Sequence, residues 1–217
     1  MKIVEQLIKD SLQELQKIGN EKEIPNEKQN SKLIFPKYRN GSKRISEQES
    51  VFLFVRELEK QENTKFFYSI ETPTNVPYKD FSGEDPKIGE GRSGNVDVTL
   101  YEKGNDKFER KHLIEFKYDN VETCRKDFLK LLCDDQQCKT NYYINVLKNY
   151  DSGTIPNLIK KYEESIDYIF RIYPNEIISN LVIIVGVLEQ KKENDFFIFK
   201  EINKKNRSII LNIEDKL

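Results

Sequence analysis

The sequence predicts a mixed α/β domain with a central sheet flanked by helices. Three observations carry that prediction. Short apolar runs with period-two alternation, such as "NVDVTLY" and "RKHLIEFKY", read as strands. Runs with apolar residues at i, i+3 and i+4, such as "VETCRKDFLKLLCD" and "IPNLIKKYEESIDYIFRIY", read as helices. The two kinds alternate along the chain, which is the pattern of helices packed on a mixed sheet.

Taken in order, residues 2–19 form an amphipathic helix with Val4, Leu7, Ile8, Leu12, Leu15 and Ile18 on one stripe. A polar linker follows, "GNEKEIPNEKQNSK", and "LIFPKYRNGSK" returns to the body through an Asn40-Gly41 turn. "SEQESVFLFVRELEK" is a helix with Ser46 as N-cap and Glu49 three residues on, a capping-box pattern. "KFFYSIET" is a strand. The segment from Pro73 to Gly94 reads as a long loop rich in proline and glycine. Two strands follow, 95–101 and 110–118, then the helix at 121–134 and a strand at 140–148. A helix over 155–173 has Pro156 in its first turn. "LVIIVGVLE", "DFFIFKEI" and "RSIILNI" complete the chain as strands. The chain divides into an N-terminal helix and linker, 1–43, and a main domain, 44–217, made of a core at 44–149 and an extension at 150–217.

The 217 residues suit one domain with room for a sizeable core. Thirty-six basic and 37 acidic residues balance to a net charge of −1, so any attraction for nucleic acid must come from a local surface. Cys124, Cys133 and Cys138 lack CxxC spacing, and His112 is the single histidine, which argues against a zinc site and for a reduced, cytoplasmic setting. The first residues are charged throughout, which excludes a signal peptide or membrane span there.

The unusual feature is acid inside strand patterns. Asp97, Thr99 and Tyr101 share one face of their strand; Leu113, Glu115 and Lys117 share one face of the next. A hairpin whose three-residue loop is Asn105-Asp106-Lys107 pairs residues whose numbers sum to 212, which sets Asp97 opposite Glu115. Opposed residues have Cβ atoms about 4.5–5.5 Å apart, and like charges there destabilise a sheet. Mg²⁺ removes that cost, taking one or two carboxylates, waters and substrate phosphate. Such a site could polarise a phosphodiester and activate water, with Lys117 holding the water or stabilising charge on phosphate. The competing reading is a polar, half-exposed sheet face.

The acid, the "EFK" stretch and the order helix, three strands, helix, strand resemble the PD-(D/E)xK nuclease superfamily and its restriction-endonuclease-like core. The resemblance covers 44 to about 149. Asp97 takes the place of the first acid, Glu115 of the second and Lys117 of the lysine; Val96 stands where the family name has proline. The resemblance implies Mg²⁺-dependent cleavage of phosphodiester bonds, with Mn²⁺ as a substitute, usually in DNA and often in prokaryotic antiviral defence or repair. It implies the Phe116 carbonyl as a further metal ligand and a glutamate from the first helix. Helical phase at 100° per residue places Glu47 at about −40° within the stripe centred on Val51, and Glu49 at about 160°, opposite it. Glu47 is therefore the preferred metal-side acid and Glu49 the second choice. Lys126 and Lys130, off the apolar face of their helix, and Arg44, Arg92 and Ser93, at element ends, are substrate-contact candidates; an ordinary solvated face is the favoured reading of the lysines, and a structural or solvent-facing role that of the other three. His112 points away from the acids. A homodimer would supply two sites for two strands, and a partner protein could deliver substrate. Two other readings stand beside this one: an inactive relative that binds nucleic acid or protein, and a nuclease for RNA or a nucleotide messenger.

Overall fold

Among the described residues, alternating periodicities resolve into four helices and one mixed sheet. The structure, a computed structural model, describes residues 3–21, 27–79, 86–119, 124–135, 137–151, 153–189, 196–199, 202–203 and 211–212. The helices are α1 (Ile3–Lys17), α2 (Glu47–Glu59), α3 (Cys124–Cys133) and α4 (Thr154–Ile172). The strands are β1 (Phe66–Lys79), β2 (Lys87–Ile88), β3 (Arg92–Lys103), β4 (Phe108–Tyr118), β5 (Thr140–Leu147), β6 (Asn180–Val187), β7 (Phe196–Phe199) and β8 (Leu211–Asn212). They lie side by side in the order β2-β1-β3-β4-β5-β6-β7-β8. β4, β5 and β6 run parallel, with α3 and α4 as crossovers; every other neighbouring pair is antiparallel. Residues 121–123 and most of "RSIILNI", read from the sequence as parts of a helix and a strand, lie outside the described residues.

Each face of the sheet has its own core. Val98, Leu100, Ile114, Phe116, Tyr142, Ile144, Val182 and Ile184 pack with α1 and α2. Leu113, Tyr143, Leu181, Ile183 and Val185 pack with α3 and α4. β5 and β6 are covered on both sides, which explains their nearly continuous apolar sequences. α1 belongs to this body: its stripe is buried, and a Cβ added at Gly186 of β6 would meet Leu12 at 3.1 Å. Glu14, also buried, accepts backbone bonds from Asn30 and Ser31 at 2.7 and 2.6 Å. Its carboxylate also faces Arg56 of α2 at 3.7 Å, so one acid fastens the returning linker to two helices.

Two local readings are corrected. The segment from Pro73 to Gly94 is not one long loop: β1 runs on to Lys79, with Pro73 opposite Asn95, Pro77 opposite Ser93 and a bulge between, and residues 80–85 of that reading lie outside the described residues. Proline is tolerated because β1 has a second neighbour only at Tyr78 and Lys79. The β3–β4 turn is Gly104–Lys107, one residue longer than the three expected, since Lys103 pairs with Phe108. A register shift beyond Leu100 then restores the spacing, and Val98 pairs with Ile114. Among the described residues no helix is long and apolar enough to cross a membrane.

If α1 is part of the folded unit, Leu12→Ala lowers the unfolding free energy by about 2–5 kcal/mol in urea titration. A change within about 0.5 kcal/mol would show that α1 is not packed on β6.

Candidate active site

The main-chain ladder between β3 and β4 stops at Val98 and Ile114. The next pair in that register is Asp97 and Glu115. Beyond this point side chains replace the ladder. The Phe116 N–H, which has no carbonyl partner on β3, donates to Asp97 Oδ2 at 2.7 Å. Lys130 reaches across from α3 and donates to the Asn95 carbonyl of β3 at 2.7 Å and to Glu115 Oε1 of β4 at 2.9 Å. Its third partner is Asp127 Oδ1 at 3.0 Å, one turn back on its own helix. Two of the three ammonium protons are thus given to hydrogen bonds, and the Asp127 carboxylate is held as an ion pair.

Lys117 joins the same cluster from the end of β4. Its Nζ lies 2.9 Å from Glu115 Oε1, 3.7 Å from Asp127 Oδ2 and 3.5 Å from Glu47 Oε2. Four acids thus face two ammonium groups: Asp97, Glu115, Asp127 and Glu47 against Lys117 and Lys130. Glu115, Asp127 and Lys130 are buried, and the Glu47 side chain is the exposed member, at 38%.

Burial and the excess of acid set the charge states. Burial, then Glu115, push the Asp97 carboxyl up to about 7, against the pull of Lys117, the Phe116 amide and Lys130. Burial and Glu115 likewise raise Asp127 to about 6. Burial alone would raise Glu115, but Lys130 and Lys117 outweigh it and hold this carboxyl below its ordinary range. Burial would also discharge Lys117; Glu115, Asp127, Asp97 and Glu47 reverse that and push the ammonium well up. Lys117 therefore keeps its proton at neutral pH and is a fixed positive charge within this cluster.

The expected residues separate clearly. Asp97, Glu115, Lys117 and Glu47 come together. Phe116 supplies the amide that orients Asp97, while its ring packs against Phe54 of α2 at 5.9 Å. Glu49 turns away and caps its helix, accepting from the Ser46 N–H at 2.8 Å. Lys126 is half-buried on α3. Arg44 is exposed three residues before α2. Arg92 and Ser93 are exposed at the start of β3; Arg92 lies five residues from Asp97, about 17 Å along the strand. His112 is bound to the Thr140 carbonyl at 2.6 Å and stacks edge-on against Phe66 and Tyr142, away from the acids. Lys130 is the correction: it is not on a solvated face but 2% exposed, its ammonium held inside the protein by Asn95, Glu115 and Asp127. Asp127 escapes the sequence reading. Its signal is an acid at about −60° from Cys124, inside the apolar stripe of α3, with a lysine three residues on.

The donor set suits a hard divalent cation. Glu115 Oε2 is buried without a partner, beside a carboxylate that still has one oxygen, Asp97 Oδ1, outside the Phe116 hydrogen bond. Two carboxylates are enough for Mg²⁺, which keeps several waters. Among the described residues no group of three or more His, Cys, Asp or Glu encloses a metal position, so a closed, all-protein cage is not what this site provides.

No family model matches the chain, and no curated protein matches it. Among solved structures, the central domain of yeast acetyl-CoA carboxylase aligns with 97% of this chain and 29% of its own, at 9% identity and a TM-score of 0.40. A likeness that low bears on neither fold nor activity.

Two outcomes test the cluster. Lys130→Met leaves Glu115 and Asp127 buried with too little countercharge and costs about 3–5 kcal/mol in urea titration; a cost under about 1 kcal/mol would refute the three-way tie. Asp97 binds a proton in the folded state up to about pH 7, far above its ordinary value of 3.8. Its contribution is therefore most favourable below about pH 4 and is lost as pH rises through about 7. In EDTA, Asp97→Asn should flatten the stability profile across that window relative to wild type; parallel profiles would refute the assignment.

Proposed function

We propose that this chain is a metal-dependent nuclease with a restriction-endonuclease-like core, hydrolysing phosphodiester bonds in DNA. The observation that carries the reading is the meeting of Asp97 and Glu115 where the β3–β4 ladder opens, with a buried, unpartnered Glu115 oxygen and the Lys117 ammonium beside it. The run α2, β1, β3, β4, α3, β5 supports it, because it follows the order expected of that core once the two-residue β2 is set aside.

Asp97 and Glu115 would hold Mg²⁺ or Mn²⁺, with the Phe116 carbonyl as a further ligand and Glu47 at the solvent side. Bound there, the ion supplies positive charge for the phosphate oxygens and a water of lowered pKa. The chain's own residues do the rest. Lys117, kept charged by its acids, stands where it can stabilise the extra negative charge of a pentavalent phosphate or orient the attacking water. Lys130 and the Phe116 amide hold Glu115 and Asp97 in place, so little reorganisation accompanies the reaction. Asp97 releases its proton when a cation binds, so affinity for the ion rises with pH up to about 7.

The test is cleavage of plasmid DNA with Mg²⁺, Mn²⁺ or EDTA. Metal-dependent cutting is expected, reduced at least ~100-fold in Asp97→Ala, Glu115→Ala and Lys117→Ala. Activity that persists in all three variants would sink the assignment. Independently of activity, Mn²⁺ should raise the melting temperature of wild type and not of a folded Asp97→Asn variant.

A further inference from the structure

The linker that precedes α2 carries a charge pattern unlike the rest of the chain. Residues 32–46 contain five cations, Lys32, Lys37, Arg39, Lys43 and Arg44, and no acid, in a protein whose charges nearly balance as a whole. Four of them sit on one small hairpin, Pro36–Arg44. Its arms are joined by the Lys37–Lys43 bridge and by main-chain bonds from Tyr38 to the Ser42 carbonyl, 2.9 Å, and from Arg44 to the Pro36 carbonyl, 2.8 Å. The tip is a tight turn closed by Gly41 N–H on the Tyr38 carbonyl at 2.8 Å. Gly41 has φ +88°, a conformation that glycine adopts freely, and Asn40 Oδ1 receives the Ser42 amide at 3.1 Å. This is a preformed surface, so little ordering entropy is given up when a ligand binds it.

Its position matters as much as its charge. Arg44 is three residues from Glu47, hence within about 11 Å of it by chain length. Glu47 in turn touches Lys117. At the tip, Tyr38 is 53% exposed. Its hydroxyl acts on Tyr118, the residue after Lys117, whose phenol burial, Asp119, Glu189 and Tyr38 together push up to about 12. The hairpin therefore stands at the rim of the candidate site. Arg39 and Arg44 are exposed, and among the described residues Lys37, Arg39 and Arg44 have no carboxylate partner. A centre with more acids than ammonium groups repels a polyanion, so a substrate of phosphodiesters needs a separate cationic surface nearby to hold it.

We propose that the Pro36–Arg44 hairpin is the docking arm for the DNA backbone, with Lys37, Arg39, Lys43 and Arg44 on phosphates and Tyr38 against sugar or base. The assignment rests on the nuclease reading for its choice of polyanion, but binding is measured without catalysis. The probe is a fluorescent 20-base-pair duplex DNA, followed by anisotropy in EDTA across a range of salt. Replacing all four cations by glutamine should weaken binding at least ~10-fold at 0.1 M salt. The slope of log K against log salt should fall by about 2–4, at roughly 0.9 for each phosphate no longer neutralised. The pairs Lys37→Gln with Arg39→Gln, and Lys43→Gln with Arg44→Gln, should each give part of the effect. Lys160→Gln with Lys161→Gln, on α4, should give none. Unchanged affinity and slope in the fourfold variant would overturn the proposal, as would a wild type that does not bind the duplex. Hairpin-dependent binding stronger for single-stranded RNA of the same length would overturn the choice of DNA. The two readings fail separately. Hairpin-dependent binding without metal-dependent cleavage leaves the arm and removes the nuclease; cleavage with hairpin-independent binding does the reverse.

Discussion

One buried ammonium organises this protein's polar centre. Lys130 ties β3, β4 and α3 together at the place where the β3–β4 ladder gives out. Two strands that separate in a sheet leave amides and carbonyls that must find other partners. Here the Asp97 carboxylate takes the Phe116 amide, and the Lys130 ammonium takes the Asn95 carbonyl. The opening is therefore a held geometry, with side-chain bonds standing where main-chain bonds would be. Everything proposed for Glu115 depends on it, because the same ammonium occupies Oε1 and leaves Oε2 alone.

Charge is the second theme, and it works at two scales. Within the cluster the acids outnumber the lysines, and the low dielectric turns that excess into raised carboxyl pKa values at Asp97 and Asp127. Replacing one of these acids by a neutral group relieves the excess, as does a divalent cation. Outside the cluster the hairpin collects positive charge on a chain that is nearly neutral as a whole. Bulk composition averages these two neighbourhoods away.

Much of the scaffold is legible in periodicity: the helices, the central strands and their order all follow from which residues need burial. The opposition of Asp97 and Glu115 is legible too, though by a route that is only partly right. The turn is longer by one residue, and the shift beyond Leu100 cancels the difference. Strand parity cannot reveal two compensating errors. Helical phase separates Glu47 from Glu49 because the acid that caps the helix and the acid that meets Lys117 have different angular addresses. It fails for Lys130, whose aliphatic stem carries the charge inward from the edge of the apolar stripe. Asp127 looks like noise on an apolar face, since its reason for being there includes a lysine on another element, Lys117. The prolines make β1 look shorter than it is, because an edge position, where proline is harmless, is a property of the sheet and not of the segment.

The irregularity between Leu100 and Tyr101 has a wider meaning for how this chain can change over time. On its far side the hairpin turn sits among exposed residues; on its near side lies the buried cluster. A bulge is a slack point, where one residue can be gained without disturbing what is paired beyond it. Length variation in the turn can be taken up there, so the tip is free to drift while Asp97 and Glu115 keep their faces. The same residue gained or lost between Leu113 and Glu115 would turn the second acid to the opposite side of the sheet. Relatives of this chain should accordingly vary in length around Gly104–Lys107 and hold the count constant from Leu113 to Lys117.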